Sequence, residues 1–461
     1  MGYFKCPECN QYSYEYWCKP CNLKHFQNDF NNWTSGNDKI DKFIQDAQLN
    51  IDEDWEVIEW IPYDRFKDVR QIGKGGFGTI HYARWIDGRI VGWNIKNQQW
   101  KRCQDEDEDE DEDENEDEDE DEDEDDAGAK VALKKFDDFV NFNDVLNEMT
   151  IHLKSYTRLA SIRFYGITQD PETCKYMMVL QYAEGGNLRE YLKINFNNIN
   201  WILKLDYLYD LSLKLVRIHE LDIVHQDFHP GNILLSNFGN NLKISDFGLS
   251  KLIGANPNNP EKRNIFGVLP YIAPEVLSGD EEYTKAADVY SFGIIAYEIV
   301  TGLPPYSDIP HDNDLAMKIC NGLRPKIPFH TPKLITRMIM RCWDARVTHR
   351  PTFNELGDEL MKYYDDYKKH MNYGKNKDSE IVIQIKKAEK FSANQESTNT
   401  TSTATITPLN YQTHPQAIYT SRLLNFSNLP KPKNEEDFER KLVELTESLS
   451  HIITNDDIDE F

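Results

Sequence analysis

The sequence predicts an α+β fold over residues 66–366, with smaller attachments at either end. Three observations predict it. Strand-like and helix-like apolar patterns alternate through that stretch. A glycine-rich loop near its start joins one strand to another rather than a strand to a helix. The 461 residues suffice for one large two-lobed domain plus smaller attachments.

Charge says less than its size suggests. The formal net charge is −27, but residues 105–126 are 21 carboxylates interrupted only by Asn115, and without them it falls to −6. The run reads as a solvated, self-repelling insertion. Binding a basic protein partner and repelling acidic substrates are its other uses. Hydrophobic residues make up 39% of the chain, enough for a sizeable core. No run of 18 apolar residues is present, so a membrane partner is not expected. The start lacks the charged region, apolar stretch and cleavage site of a secretory signal, and Cys6 stands where myristoylation wants Ser or Thr. Cys103, Cys174, Cys320 and Cys342 are scattered singly, as free thiols in a reducing compartment. The expectation is a cytoplasmic protein, with the nucleus also compatible.

The chemistry begins at Gly73-Lys-Gly75-Gly76-Phe77-Gly78, a GxGxxG loop. Glycine is needed where backbone approaches phosphate oxygens closely. Alone the motif is weak, since dinucleotide-binding folds share it. Here Thr79–Trp85 reads as a strand, with Asp87-Gly88 as a hairpin turn, which fits a lid over phosphates. Val131-Ala132-Leu133-Lys134 is an apolar strand ending in lysine, and Glu148 follows fourteen residues later on a helix. A lysine held by a helical carboxylate can orient two phosphates. Then come His225-Gln226-Asp227-Phe228-His229-Pro230-Gly231-Asn232, Asp246-Phe247-Gly248 and Ala273-Pro274-Glu275. These stretches resemble known phosphoryl-transfer motifs, and the resemblance implies that Asp227 would take the proton of an attacking hydroxyl and that Asn232 and Asp246 would hold Mg²⁺.

In this order these motifs resemble the eukaryotic protein kinase superfamily, over about 300 of the 461 residues. The resemblance implies a bilobal protein kinase fold: a small β-rich N-lobe with one main helix, and a larger helical C-lobe. It implies ATP bound by Gly73, Gly75, Gly78, Ile80, Ala132 and Lys134, with backbone of Gln181 and Ala183 on the adenine and Leu180 guarding a back pocket. Asp288 resembles the aspartate that braces the catalytic loop, and Arg350 the partner of Glu275. Asp288-Val-Tyr-Ser-Phe-Gly293 and Cys342-Trp343 most resemble the tyrosine-kinase-like group, whose members mostly modify Ser and Thr. The implied activity is transfer of the ATP γ-phosphate to Ser/Thr hydroxyls of protein substrates in signalling. The alternatives are a dual-specificity or tyrosine kinase, and a catalytically silent scaffold.

Three positions depart from the family pattern. Gln226 replaces the usual arginine, and His229 and Val268 stand where Ser/Thr kinases favour Lys and Thr. Between Lys251 and Pro270 there is no Ser, Thr or Tyr. The expectation is a kinase not switched on by phosphate in that stretch.

At the N-terminus, Cys6-Pro-Glu-Cys9 and Cys18-Lys-Pro-Cys21 form two CxxC knuckles. Four thiolates in that spacing set a closed tetrahedron around structural Zn²⁺, with disulfide or redox chemistry as the other use of such pairs. Residues 1–30 form this zinc-ribbon-like segment, with three Lys and no Arg, so nucleic acid is not an expected partner. Residues 31–65 read as a linker in which Trp55, Ile58 and Ile61 can pack on the kinase domain. Residues 370–435 read as a disordered tail rich in Ser, Thr and Asn. Residues 435–453 read as an amphipathic helix for a protein partner.

Overall fold

A computed structural model describes residues 3–14, 17–76, 78–104, 128–137, 142–156, 160–235, 241–252, 265–398 and 412–453. The acidic run at 105–126 lies outside the described residues. The chain forms two compact units, Met1–Tyr182 and Ala183–Phe461.

The first unit opens with a hairpin, β1 (Tyr3–Lys5) and β2 (Tyr12–Tyr14), then α1 (Lys19–Asp29) and α2 (Asp38–Gln48). There follow β3 (Glu59–Trp60), β4 (Phe66–Lys74), β5 (Gly78–Trp85), β6 (Arg89–Asn94), β7 (Gln99–Cys103), β8 (Ala129–Phe136), α3 (Phe142–Tyr156), β9 (Phe164–Gln169) and β10 (Tyr176–Gln181). Six strands make one sheet in the order β3-β9-β10-β8-β5-β4. All its pairs are antiparallel except β3 with β9. Because side chains alternate along a strand, Ala83, Trp85, Val131, Leu133 and Val179 share one face and form a core with Phe66 and Tyr165. Register puts Ile80 opposite Lys134, and Ala132 opposite both Tyr82 and Leu180, on the other face.

Two expectations need correction here. The segment after Asp87-Gly88 does not fold back on β5. It forms β6, which pairs with β7 in a separate hairpin, while β5 pairs with β4 and β8. Residues 31–65 are more than a linker. Asn37 caps α2 by accepting from the Lys39 amide, and Ile40 and Ile44, four apart, are buried on one helix face. Val57, Ile58 and Ile61 are buried too, and β3 adds an edge strand to the sheet. The low apolar content hid this because the few apolar residues sit where burial needs them.

The second unit contains α4 (Leu188–Asn195), α5 (Trp201–Glu220), β11 (Ile223–Val224), β12 (Ile233–Leu235), β13 (Leu242–Ile244), β14 (Lys251–Leu252), β15 (Ile265–Gly267), α6 (Pro274–Ser278), α7 (Lys285–Thr301), α8 (Asn313–Cys320), α9 (Lys333–Cys342) and α10 (Phe353–Tyr373). Helix α7 is buried along nearly its whole length and packs on α5 and α9. The short pairs β11–β14 and β12–β13 carry the loops that matter below. A tight Thr352/Glu355 capping box starts α10.

The described parts of 370–435 are not disordered. Helix α11 (Glu380–Thr398) buries Ile381, Val382, Ile385 and Ala388, and packs on α10. Beyond it, β16 (Arg422–Leu424) pairs antiparallel with β15, and α12 (Phe438–Ile453) packs on α9. The segment has too little apolar surface to fold alone, but the helical unit supplies the missing surface and hydrogen-bond partners.

Candidate active site

In the first unit, Lys134 of β8 and Glu148 of α3 form a buried ion pair through Lys134 Nζ and Glu148 Oε1. His152, one turn on, lies 3.9 Å from the same carboxylate oxygen. The glycines of the loop divide into two kinds. A Cβ at Gly78 would meet the Lys135 carbonyl oxygen at 2.1 Å, so strand packing alone demands glycine there. At Gly73 and Gly75 it would meet nothing nearer than 3.8 Å, and neither has positive φ. Their bareness serves no protein neighbour and leaves room for a ligand such as a phosphate chain. Gln181, at the end of β10, donates its amide to the Arg163 carbonyl at 2.9 Å. Ala183 opens the second unit.

In the second unit the catalytic-loop motif hangs from Asp288, which is fully buried near the start of α7. Its carboxylate accepts from the amides of His225 (2.9 Å) and Gln226 (3.2 Å) and from His219 Nε2 (2.9 Å). Gln226 stands at φ +67°, a left-handed turn that a non-glycine residue adopts at some strain. Its own amide bond to Asp288 and that of His225 beside it stabilise this turn. Asn232 donates its amide nitrogen to the Asp227 carbonyl at 2.9 Å and more loosely to Asp227 Oδ2 at 3.4 Å. The nitrogen is thereby turned toward Asp227, and the carbonyl oxygen is the atom suited to a hard cation. Asp246 follows β13 at φ +59°, and Phe247 is buried with its ring 5.0 Å from that of His225. Farther out, Arg350 holds Glu275 with two bonds of 2.7 Å in full burial.

The surroundings of Asp227 were not foreseen. Gly231 N–H donates to His229 Nδ1 at 3.0 Å, so a neutral ring carries its proton on Nε2. That atom lies 3.5 Å from Asp227 Oδ1 and 3.3 Å from the Ser421 hydroxyl. Ser421 Oγ in turn donates to Asp227 Oδ2. Burial pushes the Asp227 carboxyl up, but the adjacent His229 ring and the bonds from His229 and Ser421 outweigh it and hold it below the usual carboxylate range. Asp227 is therefore an ionised carboxylate with a serine hydroxyl on it. His229 occupies the place where the family pattern has lysine, and it touches both groups. Its departure from the pattern was the available signal. Ser421 gave none, being one hydroxyl among many in a polar stretch.

Far along the chain from these groups, Cys6, Cys9, Cys18 and Cys21 bring all four sulfurs within 4.8 Å of one another. Cys6 and Cys21 sulfurs are 3.8 Å apart, and those of Cys9 and Cys18 are 3.6 Å apart. A tetrahedron with zinc–sulfur bonds of roughly 2.3 Å has edges of about 3.8 Å, so the cluster has the size that Zn²⁺ requires. The module does not stand alone. Trp17 and Phe26 share a core with Ile51, Val57 and Ile90, and His25 stacks on Trp93 of β6 at 3.9 Å.

Comparison with known proteins agrees with this arrangement. The profile of the family described as protein tyrosine and serine/threonine kinase matches residues 66–360. "Probable serine/threonine-protein kinase pats1" of Dictyostelium discoideum is 26% identical over 308 residues, 66% of this chain and 8% of that protein. "Dual specificity protein kinase pyk3" of the same organism is 29% identical over 277 residues, 55% of this chain and 20% of its own. "Probable serine/threonine-protein kinase roco5", also from Dictyostelium discoideum, is 31% identical over 316 residues, 65% of this chain and 10% of its own. The chain thus spans no more than about a fifth of the length of these curated relatives.

Proposed function

Since the chain belongs to the protein tyrosine and serine/threonine kinase family, we propose that it transfers the γ-phosphate of ATP to serine and threonine hydroxyls of protein substrates. The observation that carries this is the Asp227 carboxylate, which accepts a hydrogen bond from a serine hydroxyl and is flanked by Asn232 and His229. Gly73, Gly75, Gly78, Ile80 and Ala132 would bound the nucleotide, with Gln181 and Ala183 at its base. The Lys134–Glu148 pair would orient the phosphates. Asn232 and Asp246 would hold Mg²⁺, which neutralises charge developing on the phosphates. Asp227 would then receive the proton of the substrate hydroxyl, with the Asn232 amide and His229 ring fixing its orientation. Positioning and charge neutralisation supply most of the rate.

Asp288-Val-Tyr-Ser-Phe-Gly293 and Cys342-Trp343 support a tyrosine-kinase-like enzyme, and Gln226 with the hydroxyl-poor loop supports one not activated by a phosphate between Asp246 and Glu275. The two hydroxyls there are Ser250 and Tyr271, and both are buried. Ser250 donates to the His225 carbonyl at 2.9 Å, while Tyr271 receives from Arg189 at 2.8 Å and donates to Glu298. Burial and the adjoining Glu298 push the Tyr271 phenol well above its ordinary range. A dual-specificity reading has one support, the name of the relative pyk3.

The deciding measurement is phosphorylation of a generic substrate protein by the wild type and by Asp227→Asn. The substitution is expected to lower the rate about 10²- to 10⁴-fold, the range for a positioned general base. Two equally silent proteins that both bind Mg·ATP would leave the scaffold reading in its place. Structural Zn²⁺ in the Cys6/Cys9/Cys18/Cys21 cluster, a protein partner for the acidic run or α12, and a cytoplasmic location complete the proposal. Among the described residues no helix is long and apolar enough to cross a membrane.

A further inference from the structure

We propose that Ser421 is an intramolecular phosphoacceptor: residues 417–424 lie in the protein-substrate position of the chain's own catalytic apparatus and present the Ser421 hydroxyl to Asp227. This rests on the kinase reading above and names a substrate for the same carboxylate.

Strand pairing and contacts from Arg189, His311 and Arg422 hold the segment. Arg422, Leu423 and Leu424 pair in register with Gly267, Phe266 and Ile265, the strand that leads into Ala273-Pro274-Glu275. Arg189 donates to the Tyr419 carbonyl at 3.1 Å and its guanidinium lies 4.7 Å from the centre of the Tyr419 ring. His311 Nδ1 donates to the Ile418 carbonyl at 2.9 Å, and the His311 amide donates to the Gln416 carbonyl at the same distance. Arg422 Nη2 donates to the His311 carbonyl at 2.6 Å. Between them these contacts fix Ser421, whose Oγ bonds Asp227 and lies 3.3 Å from His229. Gly267 keeps the ladder close to the carboxylate. A Cβ on it would sit 3.4 Å from Asp227 Oδ1 and 3.0 Å from Ile272 Cδ1, at φ +140°.

The register also selects among hydroxyls. Tyr419 donates its hydroxyl to the Pro305 carbonyl at 2.8 Å, and Thr420 is exposed. Only Ser421 of the three faces the carboxylate. The step balances without further reagents than Mg·ATP. Ser421 Oγ bonds to the γ-phosphorus as the bond from that phosphorus to the β,γ-bridging oxygen breaks, the electron pair leaves with ADP, and the hydroxyl proton passes to Asp227. Once Asp227 has released that proton to solvent, the product carries a phosphate of about −1.5 to −2 charge against an anionic carboxylate, which expels the segment and opens the position to other proteins. The substrate class follows: a serine in an extended segment, with an aromatic residue two before it, arginine directly after it and leucine three after it.

The full chain, incubated with Mg·ATP over a hundredfold dilution range, is expected to place phosphate on Ser421 with a rate constant independent of enzyme concentration, read by mass spectrometry. Ser421→Glu is expected to raise kcat/KM for an added protein substrate by about tenfold or more, the gain from like charges facing each other across the docking site. A readout without nucleotide stands beside these: amide exchange at 421–424 is protected in wild type and Ser421→Ala, and unprotected in Ser421→Glu. A kinase active on added protein but leaving Ser421 unmodified, or modifying it only in proportion to enzyme concentration, overturns the proposal and spares the kinase reading. Silence toward both Ser421 and added protein, with Mg·ATP bound, overturns the kinase reading itself.

Discussion

The two ends of this chain are both polar and both look like attachments, yet they are held by different physics. At the N-terminal end, residues 17–61 bury Trp17, Phe26, Ile40, Ile44, Ile51, Val57, Ile58 and Ile61, besides the cysteine cluster. Each such side chain contributes about 1.5–3 kcal/mol when buried, so this end is part of the folded body. From Gln412 to Asp437 the only buried apolar side chains are Ala417 and Leu424. That stretch is held by strand pairing and polar contacts, through Arg189, His311, Asp344 and Asp227. A hydrogen bond exchanged with water contributes a net of only about 0.5–1.5 kcal/mol. Apolar burial makes an attachment permanent, whereas polar docking leaves it displaceable, as a substrate must be.

Metal removal should test the contrast most strongly. Zinc in small thiolate modules contributes about 10–16 kcal/mol of folding free energy. Chelation of the full chain, or Cys21→Ser, is expected to release one zinc per chain and change the fluorescence of Trp17, Trp93 and Trp100. Elemental analysis alongside emission spectra checks it, and an unchanged spectrum after stoichiometric loss would break the comparison. Next in size is Arg350→Ala, which strands the buried Glu275 carboxylate and should cost about 3–5 kcal/mol in denaturant titration. This calibrates what a permanent polar contact is worth in the unit that carries the docked segment.

Lys204 gives a pH signature in that same unit. It is buried, donates to the Val300 carbonyl at 3.1 Å and lies 4.2 Å from the Phe196 ring centre. Burial pulls its ammonium down to about 8. With the folded pKa below the unfolded one, the unfolded state binds more protons, so this group's cost is full below pH 8 and fades as pH rises toward about 10.5. Lys204→Met should therefore stabilise the protein near pH 7, by on the order of 3 kcal/mol, with the difference from wild type vanishing near pH 10.5. Thermal scans across that window decide it. The smallest global effect should come from Leu424→Ser. Protease susceptibility of 412–435 is expected to rise, with the melting transition moving by less than about 1 kcal/mol equivalent. A loss matching the Cys21→Ser protein would show the tail to be as integral as the N-terminal end.

The legible parts of the site were those whose chemistry constrains neighbours in sequence. The glycine loop, Lys134 with Glu148, the loop from His225 to Asn232, and Asp246 could be picked out because phosphate and magnesium demand those residue types at short spacings. The family resemblance carried the brace at Asp288 and the Arg350–Glu275 pair. What escaped was long-range. Residues 31–65 and 370–435 looked too polar to fold because composition averages over a few apolar residues and takes no account of the surface waiting for them. His229 was noted as a departure, but its second contact could not be.

The amino-acid order alone determined the family, the α+β class, the candidate reacting groups and the four cysteines, since each is written in local spacing and side-chain type. The tertiary structure alone decided which hydroxyl meets Asp227. Ser421 is 194 residues from that carboxylate. No local pattern distinguishes it from the other hydroxyls of a polar stretch, because its placement is set by strand register against Ile265–Gly267 and by side chains gathered from distant helices.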